Sequence, residues 1–339
     1  MDILLELADN LILDEFYAAA LPKRSSFKWP SVLGTTNHTL EAKINNPLLN
    51  FLDVSPYMNE SLLPRDNIVR QTLSLYVITV LGAYLVYFFT SAASYYFVYS
   101  AENFKHPKYL KNQLRMEVMQ SIGSIPLMTL FTIPWFLAEA RGYSKLYWSI
   151  DTYPTWYFWL QFPFFILFTD CLVYCIHRAL HSRLLYKRFH KPHHKWIVPT
   201  PFASFAFHPV DGYLQSLPYH IFPFFFPLQK LAYLVLFTLV QMWTVIIHDG
   251  EYLANDPVIN GAACHTIHHL YFNYNYGQYT TLWDRLGGSY RTPDRELFDK
   301  SKKMTKSTWS KQSETMETIR KTVEGDVDDR TYIDDKKSR

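Results

Sequence analysis

The chain has 339 residues, 33 Lys and Arg against 30 Asp and Glu, a formal net charge of +3, and 17% aromatics. Charge this close to balance argues against a nucleic-acid binder held by bulk electrostatics. The three cysteines, Cys171, Cys175 and Cys264, form no disulfide framework and read as reduced thiols facing a reducing compartment.

In chain order, residues 1–17 carry acids where a cleavable signal would be basic. Ile3, Leu4, Leu7, Leu11 and Ile12 fall on one helical stripe with Asp2, Glu6 and Asp9 off it. The stripe predicts an amphipathic helix that packs on the protein or lies in a membrane interface. Residues 20–69 show no strong periodicity and read as loop, with glycosylation sequons at Asn37 and Asn59. From Gln71 to Ala101 there is no charged residue. At about 1.5 Å per residue that run covers roughly 45 Å, more than the roughly 30 Å of bilayer hydrocarbon. Val118 to Ala138 and Thr152 to Thr169 are two further uncharged runs, the last with Trp156, Tyr157 and Trp159 at its entrance, as in an interfacial aromatic belt. Gly212–Gln229 and Leu231–Ile247 are shorter, the first broken by Pro218, Pro223 and Pro227, and read as a helical hairpin that spans barely or not at all. The stretch after Leu297 is charged and Ser/Thr-rich and reads as a disordered tail.

Histidine carries the chemistry. His177 and His181 stand at i, i+4 at the end of the third run; His190, His193 and His194 follow in HKPHH, and His265, His268 and His269 repeat that spacing in HTIHH. Positions i, i+3 and i+4 share a helix face, so each cluster is predicted to point one way. One zinc takes about four ligands and an octahedral ion about six, so eight imidazoles suit two ions side by side. All-histidine sites suit zinc, copper, iron or nickel, and ligand type does not separate them. His208 and His248, at the two feet of the hairpin, are further candidate ligands. Asp170, on the same helical face about two turns before His177, and Asp211 and Asp249, beside the two feet, are candidates to accept an imidazole N–H. His220, mid-hairpin, reads as structural or substrate-facing. Clusters at helix ends rather than mid-span favour an enzyme over a membrane metal transporter.

Charge orients the chain. The loop holding Lys105, Lys108, Lys111 and Arg115 is basic, as is the region of Arg178, Arg183, Lys187, Arg188, Lys191 and Lys195. The positive-inside rule makes the histidines cytosolic and the N-terminus luminal, on the same side as both sequons. The terminal Lys336-Lys337-Ser338-Arg339 reads as an endoplasmic reticulum retrieval signal.

The stretches HRALH, HKPHHKW, PTPFASFAFHPVDGYLQSLPYH, IHDGEY and INGAACHTIHHLYFNYNYGQYTTLWDRLGGSYR together resemble the fatty-acid hydroxylase and sterol desaturase superfamily of membrane di-iron enzymes, and within it the sterol C-5 desaturases of fungal type. The resemblance covers about 156–291. It implies two iron ions, O2, and NAD(P)H electrons delivered by cytochrome b5 and its reductase, acting on a delta-7 sterol such as episterol in ergosterol synthesis. Its alternatives are a C-4 sterol methyl oxidase or a fatty-acid hydroxylase. Where members of the family carry a histidine, this chain has Gln229, which argues against a ligand there. Phe272, Tyr274, Tyr276 and His220 are candidate sterol-pocket residues. Arg183, Lys187 and Lys195 are candidates to dock an acidic electron donor. The expected architecture is all-α: a polytopic membrane helical bundle with a cytosolic histidine-rich di-metal cap. Its parts are a luminal segment (1–69), two transmembrane helices (70–151), the catalytic domain with a third span and the hairpin (152–297), and the cytosolic tail (298–339).

Overall fold

The computed structural model describes residues 1–23, 49, 52–253 and 255–332. Asn37 and the terminal lysine pair lie outside them, while Asn59 is exposed. The chain forms two compact units, one of residues 1–81 and 132–144, the other of 82–131 and 145 onward.

In the first unit, α1 (Asp2–Ala8) and α2 (Asp14–Ala20) are joined by a wide π-helical turn, Asp9–Leu13. The extra residue in that turn rotates everything after it. The stripe expected from the sequence therefore breaks: Leu11 and Ile12 are exposed, whereas Asp9 and Asp14 are buried. Burial of the two acids is offset by cations. Arg70 reaches Asp9 at 2.6 Å and Asp14 at 2.5 Å, and Arg65 also reaches Asp14 at 2.5 Å.

Among the described residues three helices are long and apolar enough to cross a membrane: α3 (Ile68–Phe97), α4 (Gln113–Ala140) and α5 (Thr155–Leu180). They correspond to the three uncharged runs. The third continues past its last uncharged residue through Asp170 to the first histidine pair, with His181 as its C-cap.

In the second unit, hydroxyls of α3 and α4 pin the segment after HKPHH. Tyr87 and Ser121 donate to the Phe202 carbonyl, Ser91 to Pro201, and Ser124 to Phe207. A buried irregular segment needs such partners for its carbonyls. A short helix, α6 (Lys191–His194), follows a wide turn at Tyr186–His190. The hairpin is α7 (Pro209–Phe225) and α8 (Lys230–Ile246), 17 residues each, or about 25 Å, short of a full crossing. His208 caps α7 and Gln229 caps α8. A two-residue parallel pair, β1 (Leu146–Tyr147) with β2 (Leu228–Gln229), closes the hairpin's tip. Its core is Phe165 and Val173 of α5 against Tyr219, Phe222, Leu236 and Val240.

Beyond it come α9 (Ala262–Tyr271), α10 (Leu282–Leu286), α11 (Lys300–Lys303) and α12 (Lys306–Glu324). The segment read as a disordered tail is thus ordered through residue 332. Its charges misled because most of them lie on the outer face of α12, while Arg320 and Glu324 are buried on the inner face with Trp309 and Met316. The inner face buries Met316 against Ile267, Leu270 and Tyr271 of α9. Lys108 pairs with Glu317, and Leu110 bridges to Tyr332, so the basic loop after α3 and the C-terminal segment meet.

Candidate metal centre

Among the described residues nine histidines gather into two groups, all within the second unit. Group one is His177, His181, His190, His194 and His268; group two is His193, His248, His265 and His269, and within each group one ring nitrogen of every residue lies within 4.8 Å of the others. The one-face expectation holds for His177 and His181, which share group one, and fails for the two HxxHH clusters, and the reason is helical phase. Successive residues turn by roughly 100°, so i and i+4 stay within about 40° while i+3 and i+4 diverge by about 100°. The pairs His190/His194 and His265/His269 therefore stay together, and the odd member of each motif, His193 or His268, crosses to the other group.

The imidazoles are oriented from outside. His177 donates through Nδ1 to the Tyr276 carbonyl (2.9 Å), His268 to the Tyr274 carbonyl (2.8 Å), and His248 to the Thr244 carbonyl (2.6 Å). His190 Nδ1 meets the Asp211 carboxylate at 2.8 Å. Each tie puts a proton on Nδ1 and leaves the Nε2 lone pair of a neutral ring facing inward. Burial favours neutrality: it holds the His181, His193, His194, His265, His268 and His269 imidazoles well below the ordinary 6.5, and His248 down to about 4.

Inside, ring nitrogens face ring nitrogens. His177 Nε2 stands 3.1 Å from His190 Nε2, His194 Nε2 2.9 Å from His268 Nε2, and His265 Nε2 3.0 Å from His248 Nε2 and 3.1 Å from His269 Nε2. Where both Nδ1 atoms already carry the proton, such a contact has no hydrogen to share. Two nitrogens bound at about 2.1 Å to one ion, at a right angle, stand about 3 Å apart. Among the described residues, both nitrogens of His181, and Nδ1 of His193 and His194, are buried without a hydrogen-bond partner. Unpaired buried donors and acceptors are costly. The residues present therefore fit a cation in each group.

The remaining expected site residues divide. Asp211 accepts an imidazole N–H as expected. Asp170 does not: it accepts from Gln278 N, Tyr279 N, Thr280 N and Thr280 Oγ1 at 2.6–3.2 Å. Together with Asp284, which accepts from Tyr276 N and Gly277 N, it shapes the loop that presents the Tyr274 and Tyr276 carbonyls to the histidines. Asp249 also departs from expectation. It accepts from Glu251 N, and burial raises its pKa to about 7. His208 joins neither group; its ring packs on Phe189. His220 is buried against Phe237 in the hairpin. Phe272 lies on His194 (5.2 Å between centroids) and Tyr276 on His181 (4.9 Å), while the Tyr274 ring turns to Arg291. Phe272 sits at φ 60°, a costly conformation for an aromatic residue, directly after the last histidine helix.

Three contributors were not foreseen. Tyr186 lies on His181 and His194, Phe207 stacks on His193 at 4.3 Å, and the C-terminal segment closes over Tyr186 and His194. Tyr186 donates to Glu324 at 2.9 Å, Arg330 grips Glu324 with two bonds of 2.8 Å, and Arg330 donates to the His194 carbonyl at 3.0 Å. The position of Tyr186, four residues before His190, was the one sequence signal for this closure.

A helical protein with three membrane-length helices and two buried all-histidine groups defines a class, and residues 162–289 match the family described as Fatty acid hydroxylase. Among curated proteins the chain is 53% identical to a Delta(7)-sterol 5(6)-desaturase of Aspergillus fumigatus (100% of this chain, 99% of the relative). It is 51% identical to that of Eremothecium gossypii (98% and 99%) and 48% identical to that of Saccharomyces cerevisiae (99% and 98%). The chain belongs to the Delta(7)-sterol 5(6)-desaturase family within that wider class. No solved structure matches it.

Proposed function

We infer that the protein is a Delta(7)-sterol 5(6)-desaturase of ergosterol biosynthesis, placing the C5=C6 double bond in an episterol-like sterol with O2 and NAD(P)H electrons passed through cytochrome b5. The observation that carries the reading is the pair of buried histidine groups in a chain about half identical, end to end, to proteins of that name. The same names favour desaturation over C-4 methyl oxidation or fatty-acid hydroxylation. The ordered tail covering the histidines leaves the transporter reading without support.

Two irons would be held by the nine imidazoles, four to one group and five to the other. Bound there, they supply what acid–base side chains cannot, an O2-derived oxidant able to take hydrogen from saturated carbon. The four electrons that reduce O2 to two waters come in equal parts from the sterol and from NAD(P)H. The protein's own part is placement and exclusion. Asp211 and the Tyr274, Tyr276 and Thr244 carbonyls hold the rings in one tautomer. Phe272, Tyr276, Tyr186 and Phe207 shield them from water, which keeps the site's electrostatics strong. Positioning one sterol carbon at the metals is the entropic part of the task.

The basic loop after α3 and the basic stretch around the first histidine motifs support a cytosolic site in the endoplasmic reticulum membrane. Arg183, Lys187 and Lys195 are its basic residues for an acidic donor. The test is conversion by the purified chain with cytochrome b5, its reductase, NADH, O2 and a delta-7 sterol. The expected product is the 5,7-diene; hydroxylated fatty acid or C-4 oxidised sterol in its place would overturn the reading.

A further inference from the structure

One file of residues runs from group one to the surface. The Tyr276 ring lies 5.5, 4.9 and 5.6 Å from the His177, His181 and His268 rings, and 6.3 Å from the Tyr174 ring. Arg178, which is exposed, donates to the Tyr174 hydroxyl at 2.6 Å and to the Gly287 carbonyl at 2.8 Å. The Tyr174 hydroxyl also meets Ser289 Oγ at 3.2 Å. Ser289 has a single hydroxyl proton, and it donates that proton to Asp284 Oδ1 at 2.7 Å. The proton between Tyr174 and Ser289 is therefore the phenol's, and the chain runs one way: phenol to hydroxyl to carboxylate.

Asp284 is fully buried and makes no ion pair among the described residues. Burial raises its affinity for a proton above that of an ordinary carboxylate. The arrangement is built for close approach, since a Cβ on Gly287 would collide with the Tyr174 hydroxyl. Tyr186 also lies on group one and also donates to a carboxylate, but both oxygens of that carboxylate are taken by Arg330, and Tyr186 is 1% exposed.

We propose that Tyr174 is a redox-active tyrosine that discharges group one, through the Tyr276 ring, when an O2-derived metal oxidant forms with no sterol in place. This rests on the reading above. Tyr174 gives one electron, and the oxidant is reduced by one. The phenol proton passes to Ser289 as the Ser289 proton passes to Asp284, which leaves a neutral tyrosyl radical and a protonated Asp284. Losing the proton with the electron avoids a buried radical cation. One electron from the external donor, with return of the proton, restores the phenol. The route protects the imidazoles from oxidation during idle turnover.

The experiment uses the full-length, iron-loaded protein with cytochrome b5, reductase, NADH and O2, without sterol, freeze-quenched for electron paramagnetic resonance. A tyrosyl signal is expected that sharpens when deuterated tyrosine is incorporated. Tyr174→Phe should lose the signal, keep the initial rate with sterol, and inactivate several-fold faster in sterol-free turnover, with oxidised histidine found by mass spectrometry. Ser289→Ala, which leaves the phenol in place, should slow radical formation and is the second variant if Tyr174→Phe does not fold. A wild type that is iron-loaded and active but gives no radical overturns the proposal alone. So does a signal that survives Tyr174→Phe and vanishes in Tyr186→Phe. A chain that binds no redox metal or converts no sterol overturns the proposal and the desaturase reading together.

Discussion

The two histidine groups solve the same problem with different amounts of outside help. In group one, His177, His190 and His268 are each tied by Nδ1 to a carbonyl or carboxylate, His194 is held through its carbonyl by Arg330, and three aromatic rings close the site. In group two His248 is tied to the Thr244 carbonyl and His269 meets the Trp196 backbone, while His193 rests on the Phe207 ring and His265 meets mainly other imidazoles. Group one thus has more of its rings tied by the fold, and group two would lean more on a bound ion. The groups are also linked, because each HxxHH motif lends its middle histidine to the other group.

The largest expected effect breaks both halves of that comparison. His181→Ala in group one and His265→Ala in group two should each lower turnover by about 10³-fold or more, since a two-metal site works as a unit. Metal analysis should show one ion lost from each, while His193→Ala, at a crossing position, should abolish turnover with the protein still inserted in the membrane. Equal retention of two ions in all three variants would remove these residues from the site. A smaller effect sharpens the asymmetry. Asp211→Asn should weaken iron binding in group one by about 10- to 100-fold, the usual cost of losing a partner behind a ligand, and leave group two occupied. Loss from group two instead would mean that Asp211 does not act through His190.

The smallest expected effect is on the metal-free protein. The buried imidazoles named above have folded-state pKa values below the unfolded 6.5. Below pH 6.5 the unfolded chain then binds more protons than the folded one, so stability present above that pH is lost as pH falls toward the folded values. Thermal unfolding of the apo protein in detergent should move to lower temperature from pH 7 to pH 5; bound metal, which needs the rings deprotonated, should raise the midpoint without flattening that dependence. A flat profile without metal would contradict the account of neutral, buried rings.

Much of this was legible in the residues. Runs without charge mark the spans because hydrocarbon tolerates little else, and histidines at i, i+4 mark pairs because four residues bring a helix nearly full circle. The division between groups was not legible, since i, i+3 and i+4 look alike until the 100° between neighbours is set against two separate centres. Asp170 fitted the first histidine pair by helical spacing alone, but three backbone N–H groups from a loop 108–110 residues away claimed it instead. The C-terminal helix was hidden because composition counts all its charges, while packing uses only the face holding Met316 and Trp309. Phe207 and Arg330 reach the histidines through tertiary contacts that no local pattern announces.

The central claim is that the chain holds two metal ions, one in each histidine group. Metal analysis of the purified wild-type protein, joined to X-ray absorption at the iron edge, tests it most directly. The account predicts two irons per chain in an all-imidazole environment, and one iron per chain, or a sulfur-ligated iron, would contradict it.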